Sequence, residues 1–327
     1  MSLPEFKLLQ PTTVGEAVRM LADHSDAVKV IAGGTDILPS MKQKLFAPPY
    51  VLDLRGVREL SGIQADSDGS VSLGACTTLS DIEHSAILHS DYSLLPAAAR
   101  TVASPVLRNM GTIGGNICLD TRCLWYNQSL LWRKSCGFCL KKDGDLCHVA
   151  PGGKFCWAAF SGDTPPALLC LGAEVEIASA GGMRRVPLSE FYVNDGIVRL
   201  HLAPSEILTR VILPPSAKGW RGSYQKLRVR GSIDYPLAGV AVALKMDRGR
   251  VSDARMAITA VNPAPHLVKD IDAKLIGTEV GVELAEAIGE MAARTAKPLT
   301  TSALTPEYRR EMVKVFAKRA LLEAAAN

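Results

Sequence analysis

Five of the eight cysteines in this chain of 327 residues fall between positions 123 and 156. The surrounding stretch, about residues 119–157, shows neither helical nor strand periodicity. A loop of that length inside a compact domain is unusual unless something organises it. The N-terminus shows no basic segment followed by an apolar one, so we expect a cytoplasmic chain in which disulfides are improbable. The cluster therefore predicts a metal site.

Composition limits the other possibilities. With 47% hydrophobic and 21% charged residues, the chain can form a substantial core, and its length suggests more than one domain. The formal net charge is +4 and no basic run accompanies it, so we expect no nucleic-acid partner. The longest apolar stretch, residues 237–244, is too short to cross a bilayer, so we expect no membrane association.

The order of elements predicts an α+β fold. Residues 1–56 alternate helix and strand signals, with a helix capped by Thr13 and a buried strand from Val28 to Ala32. Residues 57–215 form a second α/β unit, which carries the cysteine-rich insert at about 119–157. Residues 220–327 contain two apolar strands followed by two helices, and residues 214–220 form a plausible linker.

Two glycine-rich segments are candidates for ligand binding. The first glycine loop, residues 31–36 (Ile-Ala-Gly-Gly-Thr-Asp), follows a buried strand, and its backbone N–H groups could bind phosphate. Alone, it is better explained as a tight turn, and it fits neither a P-loop nor a Rossmann turn. The second glycine loop, residues 108–116, looks too rich in glycine and polar residues for regular structure. Together the two loops favour a clamp on the phosphates of one dinucleotide.

These two loops resemble the FAD-binding signatures of the flavoprotein subunits of the molybdenum hydroxylase (xanthine oxidase) family. Residues 161–168, 204–214 and 224–230 continue the resemblance along nearly the whole chain. It implies an oxidoreductase subunit with an FAD-binding domain of two α/β subdomains (PCMH/VAO-like). A C-terminal α+β domain, with an antiparallel sheet and helices, would complete the chain. No constellation for substrate chemistry is visible, so we expect no catalytic residue in this chain.

The resemblance also implies which residues contact FAD. Asp163 would accept hydrogen bonds from ribityl or ribose hydroxyls, and Leu208 and Lys226 would lie near the isoalloxazine. A cation there could stabilise an anionic reduced flavin, although Lys226 could equally be a solvated basic residue. The remaining expected contacts are, around the pyrophosphate, Val30, Ile31, Ala32, Gly33, Gly34, Thr35 and Asp36, and, lining the same cofactor, Val102, Ala103, Thr112, Gly114, Gly115 and Asn116.

Ligand chemistry alone does not distinguish the metals, because four thiolates suit zinc and an Fe–S cluster equally well. Only one C-x-x-C knuckle is present, and the irregular spacing, the aromatic neighbours and a nearby flavin favour a redox centre. The insert resembles one found in a reductive branch of the family. That resemblance implies a [4Fe–4S] cluster on four cysteines: Cys123, Cys139, Cys147 and Cys156. Two alternatives stay open, namely Cys136 in place of Cys139, and a zinc-stapled scaffold without redox function.

The same resemblance implies partners. We expect a hetero-oligomer with a large molybdopterin-binding subunit and a small subunit that holds two [2Fe–2S] clusters. In the reductive branch, ferredoxin would donate electrons, which the chain would relay toward removal of a phenolic hydroxyl from an aromatic CoA thioester in anaerobic aromatic degradation. The alternative is a hydroxylase or aldehyde oxidoreductase in which electrons leave through FAD to NAD or another acceptor.

Overall fold

The computed structural model describes residues 2–327, and it has the α+β architecture that the sequence predicts. The first unit is a three-stranded parallel sheet of order β1-β3-β2 with two helices. Its elements are β1 (Lys7–Leu9), α1 (Val14–His24), β2 (Val28–Ile31), α2 (Ile37–Lys42) and β3 (Tyr50–Asp53). The Thr13 side chain accepts the Glu16 N–H and begins α1, as expected. The Glu16 carboxylate, however, bonds the backbone and side chain of Thr12 and does not close a capping box on Thr13.

The second unit is built on a five-stranded antiparallel sheet of order β4-β5-β8-β6-β7. Its strands are β4 (Ile63–Ala65), β5 (Val71–Gly74), β6 (Glu174–Ser179), β7 (Gly182–Pro187) and β8 (Ile207–Leu213). Its helices are α3 (Leu79–His84), α4 (Ala86–Asp91), α5 (Leu94–Arg100), α6 (Pro105–Arg108), α7 (Ile113–Ile117), α8 (Leu130–Ser135), α9 (Thr164–Cys170) and α10 (Leu188–Phe191). The edge strand β7 was not predicted, because its residues are mostly exposed and lack apolar alternation.

The second glycine loop corrects one expectation, since half of it is helical. Thr112 caps α7 by accepting the Gly115 N–H through its side chain. Gly114 lies against Ala75, where an added Cβ would stand 2.8 Å from the carbonyl oxygen of that residue. The prediction of irregular structure was wrong because the glycines serve close packing between α7 and the end of β5.

The C-terminal unit is a four-stranded antiparallel sheet of order β12-β11-β10-β9 with helices against one face. Its elements are β9 (Arg221–Leu227), β10 (Ala238–Asp247), β11 (Arg250–Thr259), β12 (His266–Leu267), α11 (Asp272–Leu275), α12 (Val282–Thr295) and α13 (Pro306–Ala326). Apolar periodicity predicts a helix over Val282–Thr295, and Thr305 followed by Pro306 predicts the start of the next one; α12 and α13 begin at these positions. Among residues 2–327, no helix combines the length and the apolar character needed to cross a membrane.

Strand β10 explains how the units are joined. Val240 and Val242 belong to the core beneath α12 and α13, whereas Ala241 and Ala243 belong to the core of the five-stranded unit. Successive strand residues face opposite sides, so β10 is apolar on both faces and is covered by both units. Ala217 and Trp220 are also buried in the core of the five-stranded unit, so these two residues attach the segment 214–220 to it.

Candidate functional site

The two glycine loops meet each other directly. A Cβ added at Gly33 would stand 1.9 Å from the carbonyl oxygen of Met110 and 3.0 Å from the Cα of Gly111. Gly34 has a φ of +74°, a left-handed conformation that turns the chain sharply after β2. The contact therefore depends on a residue without a side chain at position 33.

The backbone N–H groups of the two glycine loops differ in whether they have hydrogen-bond acceptors. Within residues 2–327, the N–H groups of positions 33–36 have no hydrogen-bond acceptor. In the second loop, by contrast, Ile113 and Gly114 donate to the carbonyls of Thr77 and Ala75. Unpaired consecutive N–H groups beside a left-handed residue form a nest for an anion. The first loop is thus the better anion site, and the second packs against it.

A buried ion pair joins the five-stranded unit to the C-terminal sheet. Asp163, next to the start of α9, accepts from Lys226 Nζ at 2.9 Å and from the Tyr224 hydroxyl at 2.7 Å. Lys226 also donates to the carbonyl of Thr101 at 2.9 Å. The side chains of the pair are only 3% and 4% exposed, so Lys226 is not a solvated residue. Burial, reinforced by Asp163, raises the pKa of Tyr224 well above its ordinary value, which keeps its hydroxyl a donor.

A second polar cluster joins residues that no sequence pattern connects. Arg122 Nη1 lies 3.0 Å from Asp36 Oδ1, and the hydroxyl of Tyr235 donates to the same oxygen at 2.8 Å. The guanidinium also lies over the Tyr235 ring, 4.0 Å from its centroid. These residues are far apart in the sequence, and only the position of Arg122 beside Cys123 hinted at a role.

Four cysteines line one cavity in the insert. They are Cys123, Cys139, Cys147 and Cys156, each at most 8% exposed. Cys136 is only partly buried and does not line this cavity. The other lining residues are Trp125, Tyr126, Leu140, Lys141, His148, Val149 and Ala158. Burial raises the pKa of Cys123 and of Cys156 to about 11. The structure therefore brings together the four cysteines of the expected set and leaves the fifth outside.

Two side chains around the cavity have partners of their own. His148 Nε2 lies 2.5 Å from the carbonyl oxygen of Phe138, and its ring stacks on Trp125 with centroids 4.3 Å apart. Lys141 is 7% exposed and pairs with Asp120 at 2.7 Å. Burial acts to raise the pKa of Asp120, but Lys141 and then Arg199 outweigh it and hold that pKa below its ordinary value.

The four cysteines are not arranged around a single metal position. Within residues 2–327, no group of three or more His, Cys, Asp or Glu side chains is arranged to hold a metal ion. Thiolate–zinc bonds are about 2.3 Å long, so a single ion would draw its four sulfurs close together. The four thiols in residues 2–327 do not form such a single-ion site.

Comparison with protein families decides the classification. Residues 4–216 match the FAD binding domain in molybdopterin dehydrogenase, and residues 222–324 match the CO dehydrogenase flavoprotein C-terminal domain. The chain belongs to the molybdopterin dehydrogenase flavoprotein family. It is accordingly an FAD-binding oxidoreductase subunit.

Individual relatives match this flavoprotein over its full length. It is 30% identical to the nicotine 6-hydroxylase medium subunit of Paenarthrobacter nicotinovorans, with 100% of both chains covered. It is 28% identical to the glyceraldehyde dehydrogenase medium chain of Sulfolobus acidocaldarius, covering 98% of this chain and 99% of the other. Among solved structures, carbon monoxide dehydrogenase from Hydrogenophaga pseudoflava superposes with a TM-score of 0.82 at 28% identity, covering 100% of this chain and 99% of that one.

Three further residues that we expect to contact FAD are held by other parts of this flavoprotein. Leu208 lies on β8 and is 5% exposed in the core of the five-stranded unit. Strand β8 also contacts α7. The Asn116 side chain accepts the backbone N–H and the hydroxyl of Thr164, so it links α7 to α9. Ala103 has a φ of 45°, and its carbonyl accepts the N–H of Ile233 from the loop after β9. These contacts hold the loops in place around the junction of the glycine loops.

The Asp163–Lys226 pair gives a testable stability prediction. Lys226→Met leaves the carboxylate of Asp163 buried without a cation, which we expect to cost about 3–5 kcal/mol of unfolding free energy. In the double variant Asp163→Asn/Lys226→Met no buried charge remains, so we expect a smaller loss than for Lys226→Met alone. Urea denaturation of the full chain measures the unfolding free energy of Lys226→Met, of Asp163→Asn and of the double variant. A double variant as unstable as the sum of the two single variants would show that the pair carries no coupling.

Proposed function

We propose that this chain is the electron-transferring FAD subunit of a molybdenum hydroxylase or dehydrogenase, with the FAD diphosphate at the first glycine loop. The observation that carries the proposal is the run of unpaired N–H groups at positions 33–36, at the junction with the second loop. A bound flavin would supply one- and two-electron transfer. The chain itself would hold the diphosphate through its backbone and fix the loops through contacts such as Asn116 with Thr164.

We infer that the chain works in a hetero-oligomer. Its relatives are named medium chain or medium subunit, which implies a larger and a smaller partner. A large molybdopterin-binding subunit, where substrate would react, and a small subunit with two [2Fe–2S] clusters fill these roles. This division of labour agrees with a chain whose sequence shows no constellation for substrate chemistry.

We also propose a [4Fe–4S] cluster on Cys123, Cys139, Cys147 and Cys156. The donor set fits, because four thiols and no carboxylate line one cavity. The four cysteines are each at most 8% exposed, so this all-thiol donor set is shielded from water. Such a cluster would pass one electron at a time.

The direction of electron flow separates two candidates. The named relatives are dehydrogenases and a hydroxylase, so the oxidative candidate, in which electrons leave through FAD to NAD or another acceptor, fits the comparisons better. The second candidate is a 4-hydroxybenzoyl-CoA reductase fed by ferredoxin, which would yield benzoyl-CoA. The cysteine cavity favours it, since an additional low-potential centre would suit an electron entry point.

Purification under oxygen-free conditions tests these proposals. We expect a flavin spectrum with a broad Fe–S shoulder, together with one FAD and about four iron atoms per chain. A colourless chain that contains zinc would refute the redox assignment. With the whole complex, reduction of NAD by substrate would support the oxidative candidate. Oxidation of reduced ferredoxin by 4-hydroxybenzoyl-CoA would support the reductive one.

A further inference from the structure

Asp36 places a negative charge at the end of the first glycine loop. Its side chain is 25% exposed, and its own N–H group is the last of the four that we propose to hold the FAD diphosphate. A carboxylate next to a diphosphate repels it and lowers affinity unless a cation neutralises the carboxylate. The loop therefore needs a counter-charge.

Arg122 supplies that charge from another part of the chain. Its Nη1 lies 3.0 Å from Asp36 Oδ1, and no other cation within residues 2–327 lies within 4.0 Å of this carboxylate. Tyr235 supports the arrangement from the loop between β9 and β10. Its hydroxyl donates to the same oxygen, and its ring stacks against the guanidinium. Burial, followed by the charge of Asp36, raises the pKa of Tyr235, which keeps the hydroxyl a donor.

The backbone of Arg122 is itself fixed. Its N–H donates to the carbonyl of Ala159, and its carbonyl accepts the N–H of Ala159, both at 2.8 Å. These two bonds join the two ends of the insert, one residue before Cys123 and three residues after Cys156. The insert thus fixes the backbone of Arg122, while its guanidinium contacts Asp36 and the ring of Tyr235.

We propose that Arg122 is a positioning residue that neutralises Asp36 and so permits tight binding of FAD at the first glycine loop. This inference rests on the proposed function. It assigns to the insert a second role, since the segment that carries the cysteines also carries the counter-charge of the flavin site.

Titration of the deflavinated full chain with FAD tests the proposal through affinity. We expect Arg122→Met to weaken FAD binding about tenfold, because Asp36 is left uncompensated. Arg122→Lys keeps the charge and should stay within about threefold of the unaltered chain. Adding Asp36→Asn to Arg122→Met removes the repulsion and should restore most of the affinity. Circular dichroism establishes that each variant is folded.

Arg185→Met is the matched control, because Arg185 pairs with Glu176 on the β6–β7 hairpin, away from both glycine loops. It should bind FAD normally. Unchanged affinity in Arg122→Met would overturn the proposal. Equal losses in the Met, Lys and double variants would also overturn it, since they would indicate a role in packing alone. If the unaltered chain binds no FAD, the proposed function fails instead.

Discussion

Gly33→Ala is expected to abolish retention of FAD. The added Cβ would stand 1.9 Å from the carbonyl oxygen of Met110, a backbone atom that cannot rotate away. The two glycine loops must then separate, which we expect to cost about 3 kcal/mol or more and to weaken FAD binding at least about 100-fold. The FAD-to-protein ratio after gel filtration measures this loss.

Substitutions at two other glycines serve as comparisons for Gly33→Ala. Gly15 lies in α1 with nothing within 4 Å of an added Cβ, so Gly15→Ala should retain FAD and stabilise the helix by about 0.5–1 kcal/mol. Gly114→Ala should have an intermediate effect, because its added Cβ would meet Ala75 at 2.8 Å. Full FAD occupancy in Gly33→Ala would mean that contact between the loops does not hold the cofactor.

Cys139→Ser is expected to remove the Fe–S cluster. Cys139 is 7% exposed and lines the cavity with the three other cysteines, so its loss leaves three thiolates for four iron positions. Iron should fall from about four atoms per chain toward zero, and the broad visible shoulder should disappear. FAD content should change little, since the unpaired N–H groups at positions 33–36 are not altered.

Cys136→Ser is the matched control, because Cys136 is three residues away and does not line the cavity. It should keep its full iron content. The opposite pattern, with iron lost in Cys136→Ser and kept in Cys139→Ser, would establish the alternative ligand set. Equal iron in both variants and in Cys147→Ser would place the iron elsewhere.

Much of the fold follows from local signals. The helix Val282–Thr295 and the N-cap Thr305 of α13 are predicted because apolar periodicity and capping chemistry are properties of short segments. Helix α7 was missed, because its glycines are poor helix formers in isolation. Packing against Ala75 compensates for that poor propensity, and that contact joins residues far apart in the sequence.

The sequence by itself determined the α+β class, the two glycine loops and the cluster of five cysteines, because strand periodicity, glycine pairs and thiol chemistry are visible in the residues alone. Only the tertiary structure decided that Gly33 contacts Met110, that Lys226 is paired with Asp163, and that Arg122 faces Asp36. The reason is physical. Which charges neutralise each other, and which backbones come into contact, depends on distances in space between segments that the order of residues does not specify.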